Sequence, residues 1–265
     1  MESYTKIRIF LLILILIFLI LKLKDLLLDL LTPIEEFLKA AENGNLKKIK
    51  SMLNKEVNIK TLINAVDKEN NTALILASKF GYHEIVKILI ENGADIDARN
   101  NDNSTALIEA SSFYYEVVKL LIENGADINA KDSGGTTALM NASTEDDYIN
   151  YEICKTLIEN GADINAKDLQ GDNALKYAST FLEWDLAIIK LLIESGIEIN
   201  TQNKDGYTAL MEATISGNAE IVKVLIENGA DINIKNNDGK TALDYAEEND
   251  YKSIIELLKI NRLHL

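Results

Sequence analysis

Ile221-Val222-Lys223-Val224-Leu225-Ile226-Glu227-Asn228-Gly229-Ala230-Asp231-Ile232-Asn233 carries the plan of the whole chain. Its first half places apolar residues at helical spacing, and Gly229 suits the left-handed position that ends a helix. The string Glu-Asn-Gly-Ala-Asp-Ile within it returns at Glu91–Ile96, Glu123–Ile128 and Glu159–Ile164, with a degenerate copy at Glu194–Ile199. A second signal, Thr-Ala-Leu-x-x-Ala or its Asn variant, stands at one fixed distance after each glycine. Thr105, Thr137, Asn173, Thr208 and Thr241 follow Gly93, Gly125, Gly161, Gly196 and Gly229, and a first copy begins at Thr72. A period of roughly 33 residues, held with small variations, marks a solenoid of stacked supersecondary units.

One unit explains itself. Thr72 is placed to N-cap a first helix, with Leu74 and Ala77 on its packed side. The small Ala77, Ala110, Ala142, Ala178, Ala213 and Ala246 let neighbouring helices approach closely. A second helix over 83–92 buries Ile85, Val86, Ile88, Leu89 and Ile90 at helical spacing. Two positions before each start stands Asn70, Asn103, Gly135, Gly171, Gly206 or Gly239, all residues that tolerate a positive φ, as a tight turn requires.

Helix, turn, helix and then a loop, at this period, resembles the ankyrin repeat over about residues 33 to 265. The resemblance rests on Thr-x-Leu-x-x-Ala, on Ile221–Asn233 and on Asp-x-x-Gly before the next start. It implies an all-α solenoid of helix-turn-helix units with finger-like loops, which binds another protein through finger tips and concave helices. One departure is constant: Ile75, Ile108, Met140, Lys176, Met211 and Asp244 stand where the family has histidine, so its internal threonine–histidine hydrogen bond is missing. The expected organisation is an N-terminal hydrophobic segment (1–32), an N-terminal capping repeat (33–71) and full repeats at 72–104, 105–136, 137–172, 173–207 and 208–240. A C-terminal capping repeat (241–265) closes the stack, because such a stack needs its ends covered.

The length changes point to a site. The glycine-to-threonine segment is constant, so all variation lies between the two helices of a unit. That interval is longest from Thr137 to Gly161 and one position shorter from Asn173 to Gly196; both exceed the interval from Thr72 to Gly93. Insertions in a solenoid fall on one face, often the binding face. Both additions bring aromatics, and Tyr and Trp are enriched at binding hot spots. Phe113, Tyr114, Tyr148, Phe181 and Trp184 are therefore expected to line a partner surface, the competing reading being local packing under the longer turns. Finger tips differ between copies, and Arg99 and Lys131 are candidate contacts there, with plain turn chemistry as the competing reading.

Other chemistries find little material. The net charge of −15 argues against nucleic acid, whose binding needs clustered Lys and Arg to displace counterions. Two histidines and one cysteine offer no Ser/His/Asp set, metal spacing or phosphate loop, so neither catalysis nor a cofactor is expected. The Asp127–Asp132 stretch begins like a calcium loop but has Lys131 at its fifth position and Ala138 where a glutamate is needed.

The first thirty residues pose a separate question. Ile9 to Leu21 is an unbroken apolar run. As a helix it spans about 20 Å, short of the roughly 30 Å hydrocarbon core. Extension over residues 7–23, with Arg8 and Lys22 snorkelling, brings it closer. A cleaved signal needs small residues at its cleavage site, and the run leads instead into Lys22-Leu23-Lys24-Asp25. A helix buried in the repeats would show a polar face. The reading reached is a single-pass membrane anchor running without a flexible linker into a monomeric binding module. Export after signal cleavage is the alternative location, and an inhibitor or immunity-type protein blocking an enzyme, a basic nuclease or a protease, is the alternative role.

Overall fold

The computed structural model describes residues 2–54, 59–144, 148–180 and 186–262, with the side chains of all but 2–15, 25–30, 60–61 and 262. The order is α1 (Glu2–Glu42), α2 (Leu46–Leu53), α3 (Ile59–Ile63), α4 (Ala73–Lys79), α5 (His83–Glu91), α6 (Ala106–Ala110), α7 (Tyr115–Glu123) and α8 (Ala138–Ala142). It continues with α9 (Tyr148–Glu159), α10 (Ala174–Ala178), α11 (Ala187–Glu194), α12 (Ala209–Ile215), α13 (Ala219–Glu227), α14 (Ala242–Glu248) and α15 (Lys252–Arg262). Apart from one isolated bridge, Val66 to Thr72, the described residues hold no β-structure. The C-terminal part of α1 with α2 forms the first helix pair. First helices pack in one row from α1 through α4, α6, α8, α10 and α12 to α14, and second helices pack behind them.

The cap expected at Thr72 recurs in every copy. Threonine oxygens accept from the backbone N–H three positions on at 3.2 Å for Thr72, 3.4 Å for Thr105, and 3.3 Å for Thr137, Thr208 and Thr241. Asn173 does the same at 3.1 Å. At Thr241 the exchange is mutual, because Asp244 also accepts from the Thr241 N–H and hydroxyl. These two bonds to its carboxylate hold Asp244 below its ordinary pKa. Residue 244 stands where Ile75, Ile108, Met140 and Met211 are buried, and in the last pair it faces solvent.

Each full repeat then buries one leucine at its heart: Leu74, Leu107, Leu139, Leu175 and Leu210 are at most 2% exposed. Full burial of such a side chain stabilises by about 1.5–3 kcal/mol relative to exposure. The alanines fill the helix–helix contacts as their size demands. On α5, Ile85, Val86 and Leu89 are buried, whereas Ile88 and Ile90 are only partly so. That stripe of three is narrower than the five positions the sequence offered, because a second helix has one row of neighbours and an open back.

At the other end of α1 the stack has no joint. Phe37, Leu38, Ala40 and Ala41 belong to the core of the first pair, and the same helix reaches back through Pro33 to Glu2. Proline inside a helix removes one backbone hydrogen bond, yet α1 continues on both sides of it. The boundary expected between residues 32 and 33 therefore falls inside a helical segment.

Candidate functional site

Two edges of the stack carry the loops, and they are built differently. The finger edge lies where each first helix begins. Here Asp67, Asn100, Asp132, Asp168, Asn203 and Asn236 each accept from two backbone N–H groups with one side-chain oxygen, at 2.8–3.1 Å. The turn this closes places Asn70, Asn103, Gly135, Gly171, Gly206 and Gly239 at φ of 58–86°. Backbone bonds then tie finger to finger: Asn101 N–H to Glu69 O, Ser133 to Asp102, Leu169 to Gly134, Lys204 to Gln170 and Asn237 to Asp205, at 2.7–3.0 Å.

A second cross-repeat ladder runs along the base of the fingers. Oδ1 of Asn64, Asp97, Asn129, Asn165 and Asn200 accepts the N–H of Asp95, Asp127, Asp163, Glu198 and Asp231 at 2.7–2.9 Å. Sequence reasoning missed this ladder. Its signal was present: the residue after Asp-Ile is Asp97 or Asn129 in two copies, and Asn165 in a third. The partner, however, sits in the following repeat.

Both finger candidates are engaged within the protein. Arg99 donates to Lys131 O at 2.9 Å and Asn103 O at 3.3 Å, and the Lys131 ammonium donates to Lys167 O at 2.8 Å. They staple neighbouring fingers, and the remainder of each side chain is exposed.

Where the fingers meet the first helices, polar groups cross from repeat to repeat. The Lys176 ammonium lies 3.1 Å from Asp172 and 3.4 Å from Glu212. Burial works against its charge, but the Glu212 and Asp172 carboxylates outweigh that and raise its pKa. Tyr177 donates to Asp168 at 2.9 Å, and burial together with that carboxylate pushes its pKa up to about 12. In the last two units Tyr207 and Tyr245 share a hydroxyl contact of 2.7 Å, and Asn236 donates to Tyr245 at 2.8 Å.

The turn edge lies at the far end of the first helices. Aromatics gather there in two roles. Tyr82 covers Gly44 and Tyr114 covers Gly81, each ring occupying the space a β-carbon would need. Tyr114 is half-buried as a result. Its neighbour Phe113 meets it edge-on and stays 55% exposed, Phe80 is 41% exposed, and Tyr148 is 76% exposed. Three consecutive units thus present an exposed aromatic ring on one edge. Phe181 and Trp184, expected to extend this row into the next unit, lie outside the described residues, as do residues 145–147 of the first insertion.

Among the described residues no group of His, Cys, Asp and Glu is arranged to hold a metal ion. Cys154 is buried with Ile153 and Leu157 in α9. Among the residues whose side chains are described, which leave out 2–15 and 25–30, no helix is long and apolar enough to cross a membrane.

Comparison with known proteins agrees with this architecture. A family model described as ankyrin repeats (3 copies) matches residues 37–132, 98–168, 132–203 and 175–263. The chain belongs to the ankyrin repeat family, whose repeats serve protein–protein interaction. It is similar to the Notch-regulated ankyrin repeat-containing protein of Xenopus laevis, 38% identical over 71 residues, 27% of this chain and 62% of that protein. The Homo sapiens protein of the same name is 35% identical over 71 residues with the same shares. The Acyl-CoA-binding domain-containing protein 6 homolog of Dictyostelium discoideum is 54% identical over 39 residues, 15% of this chain and 14% of that protein. The chain spans about three-fifths of the length of the Notch-regulated relatives it matches.

Proposed function

We propose that this chain is a scaffold that binds one protein partner, using the turn edge of its central repeats. The observation that carries the reading is the row Phe80, Phe113 and Tyr148, exposed on successive units at the edge where unit length varies. Exposed aromatic rings cost solvation and offer large, rigid contact area, so a docking partner gains from covering them. Phe181 and Trp184 extend the same site in sequence, and Arg99 and Lys131 contribute from the finger edge. Nothing in this reading involves catalysis or a cofactor. The complex is one stack to one partner.

The scaffold is tethered to a membrane through residues 7–23. Support comes from the apolar sequence itself and from the described part of it. Leu16, Ile17, Phe18, Leu19, Ile20, Leu21 and Leu23 are each 47–59% exposed on α1. Successive residues step round a helix by about 100°, so this segment is apolar and open on every side, as a lipid environment requires and a protein groove does not. Release after signal cleavage is the alternative, in which the chain would be recovered shortened and unattached.

The deciding experiment compares the full chain with a Phe113→Ser, Tyr148→Ser variant of matched circular dichroism. Chemical cross-linking in cells of origin is followed by mass spectrometry. A protein joined to the wild type at one to one and lost from the variant is the expected result; an unchanged set of adducts overturns the site. If that protein is a basic enzyme whose activity disappears in the complex, the inhibitor role replaces the scaffold role, and the net charge of −15 favours such a partner.

A further inference from the structure

The first unit stands in register with the later ones at its turn edge. Asn45 N–H donates to Ala40 O at 2.8 Å, the same bond that Tyr82 makes to Ala77 and Tyr251 to Ala246, at 2.9 and 3.0 Å. Gly44 has the positive φ of Gly81, at 68° and 72°. Ala40 therefore occupies the place of Ala77, and Glu35, five positions earlier, occupies the place of the capping Thr72. Every later first helix begins there, where its finger ends. α1 does not: it passes through that position and continues back to Glu2. Because α1 packs on α4 as α4 packs on α6, its extension leaves the stack on the finger side.

From this geometry we infer that α1 orients the whole stack against a bilayer, with the finger edge toward the lipid and the turn edge away from it. The inference rests on the tether reading above and deepens it. Between Leu23, where the apolar segment ends, and Glu35, the helix is unbroken over about 18 Å. It runs on through Pro33 as one helix and so couples distance to direction. Exposed carboxylates of Asp95, Asp127, Asp163 and Asp231 line the base of the fingers. At that height they stand beyond the Debye length of about 8 Å at physiological salt, so even anionic lipid does not oppose the pose. Phe80, Phe113 and Tyr148, at the opposite ends of the first helices, then face open water. The partner is thus a protein approaching from the aqueous side with an apolar patch of its own, and the aromatic row does not serve to bind lipid.

The test uses the full chain reconstituted in phosphatidylcholine vesicles, with a donor fluorophore on a single introduced thiol and acceptor-labelled lipid. Asp102→Cys reports the finger edge and Phe113→Cys the turn edge of one unit; Cys154 is buried and stays unlabelled in the native protein. Transfer is expected to be stronger at 102 than at 113, reflecting a separation of about 10 Å along the helix axis. Gly-Ser-Gly-Ser inserted after Leu31 is expected to abolish that difference. Equal or reversed transfer in protein that floats with the vesicles overturns the orientation while the tether stands. A difference that survives the insertion removes α1 as its cause. Failure to float at all overturns the tether reading and this inference with it.

Discussion

The finger edge and the turn edge of this stack are made from the same repeats under different constraints. From second helix to next first helix, every copy uses the same spacing, and the chain there bonds to the copy before and the copy after. From first helix to second, the spacing changes from copy to copy, shortest from Thr105 to Gly125 and longest from Thr137 to Gly161. A finger is one rung of a ladder of backbone bonds, so a single insertion in it would put every donor out of reach of its acceptor. A turn on the far edge touches its neighbour chiefly through a ring over a glycine, and it can lengthen outward into water. Stability is therefore concentrated on one edge, and the freedom to vary, which recognition needs, lies on the other.

That contrast can be broken most severely at Gly206. Its φ is +82°, and a β-carbon there would stand 2.8 Å from the Asn236 Cα of the next finger. Gly206→Ala is expected to lower the free energy of unfolding by about 2–3 kcal/mol, part strain and part clash. Gly239, with φ +79° and no atom within 4 Å, isolates the strain alone, so Gly239→Ala should cost only about 1 kcal/mol. Urea denaturation followed by circular dichroism measures both; equal losses would mean that fingers do not lean on one another.

Asn129 comes next. It accepts from Asp163 N–H at 2.7 Å and donates to Gly161 O at 3.1 Å, so Asn129→Ala removes two bonds to the following repeat. A loss of about 1–2 kcal/mol is expected, with amide exchange at Asp163 accelerated. Thr137→Ala removes a buried cap and should cost about 1 kcal/mol. If its cost exceeded that of Asn129→Ala, local capping would outweigh cross-repeat bonding.

A milder probe is alkaline pH. Tyr177 keeps its proton to about 12 in the folded chain, against about 10 in a free tyrosine. As pH rises from about 10 to about 12 the unfolded chain loses this proton first, so the native state loses stability across that window. Tyr177→Phe should flatten part of that decline and remove one late-ionising phenol from the ultraviolet titration. The smallest effect is expected on the turn edge, where Phe113→Ser or Tyr148→Ser should change stability by no more than about 0.5 kcal/mol. A larger loss would show these rings to be packing residues and would remove them as a docking row.

Much of this was legible in advance because it is local. A threonine three positions before an N–H, an Asp or Asn two positions before another, and a Gly or Asn where φ turns positive all act within a few positions. The caps, finger turns and buried alanines followed from the sequence for that reason. The candidate surface was legible only in outline. Phe113 and Tyr114 are adjacent aromatics near one turn, and nothing in their order along the chain separates them. Gly81, one repeat before Tyr114, opens a space that only the second ring enters, and the first is left outside. Arg99 and Lys131 read as candidate contacts at finger tips against plain turn chemistry, and it took the neighbouring finger to show the carbonyls they hold.

The family, the starts of the first helices and the constancy of the fingers follow from the amino-acid order alone, because period and capping are properties of consecutive residues. Three things came only from the packed molecule: which aromatics are exposed, which polar side chains join one repeat to the next, and that α1 continues through Pro33 into the first pair. Exposure and cross-repeat bonding depend on what an adjacent unit brings within a few ångströms, across a full repeat of chain. The unbroken course of α1 depends on the first pair holding residues on the far side of a proline in the same helix.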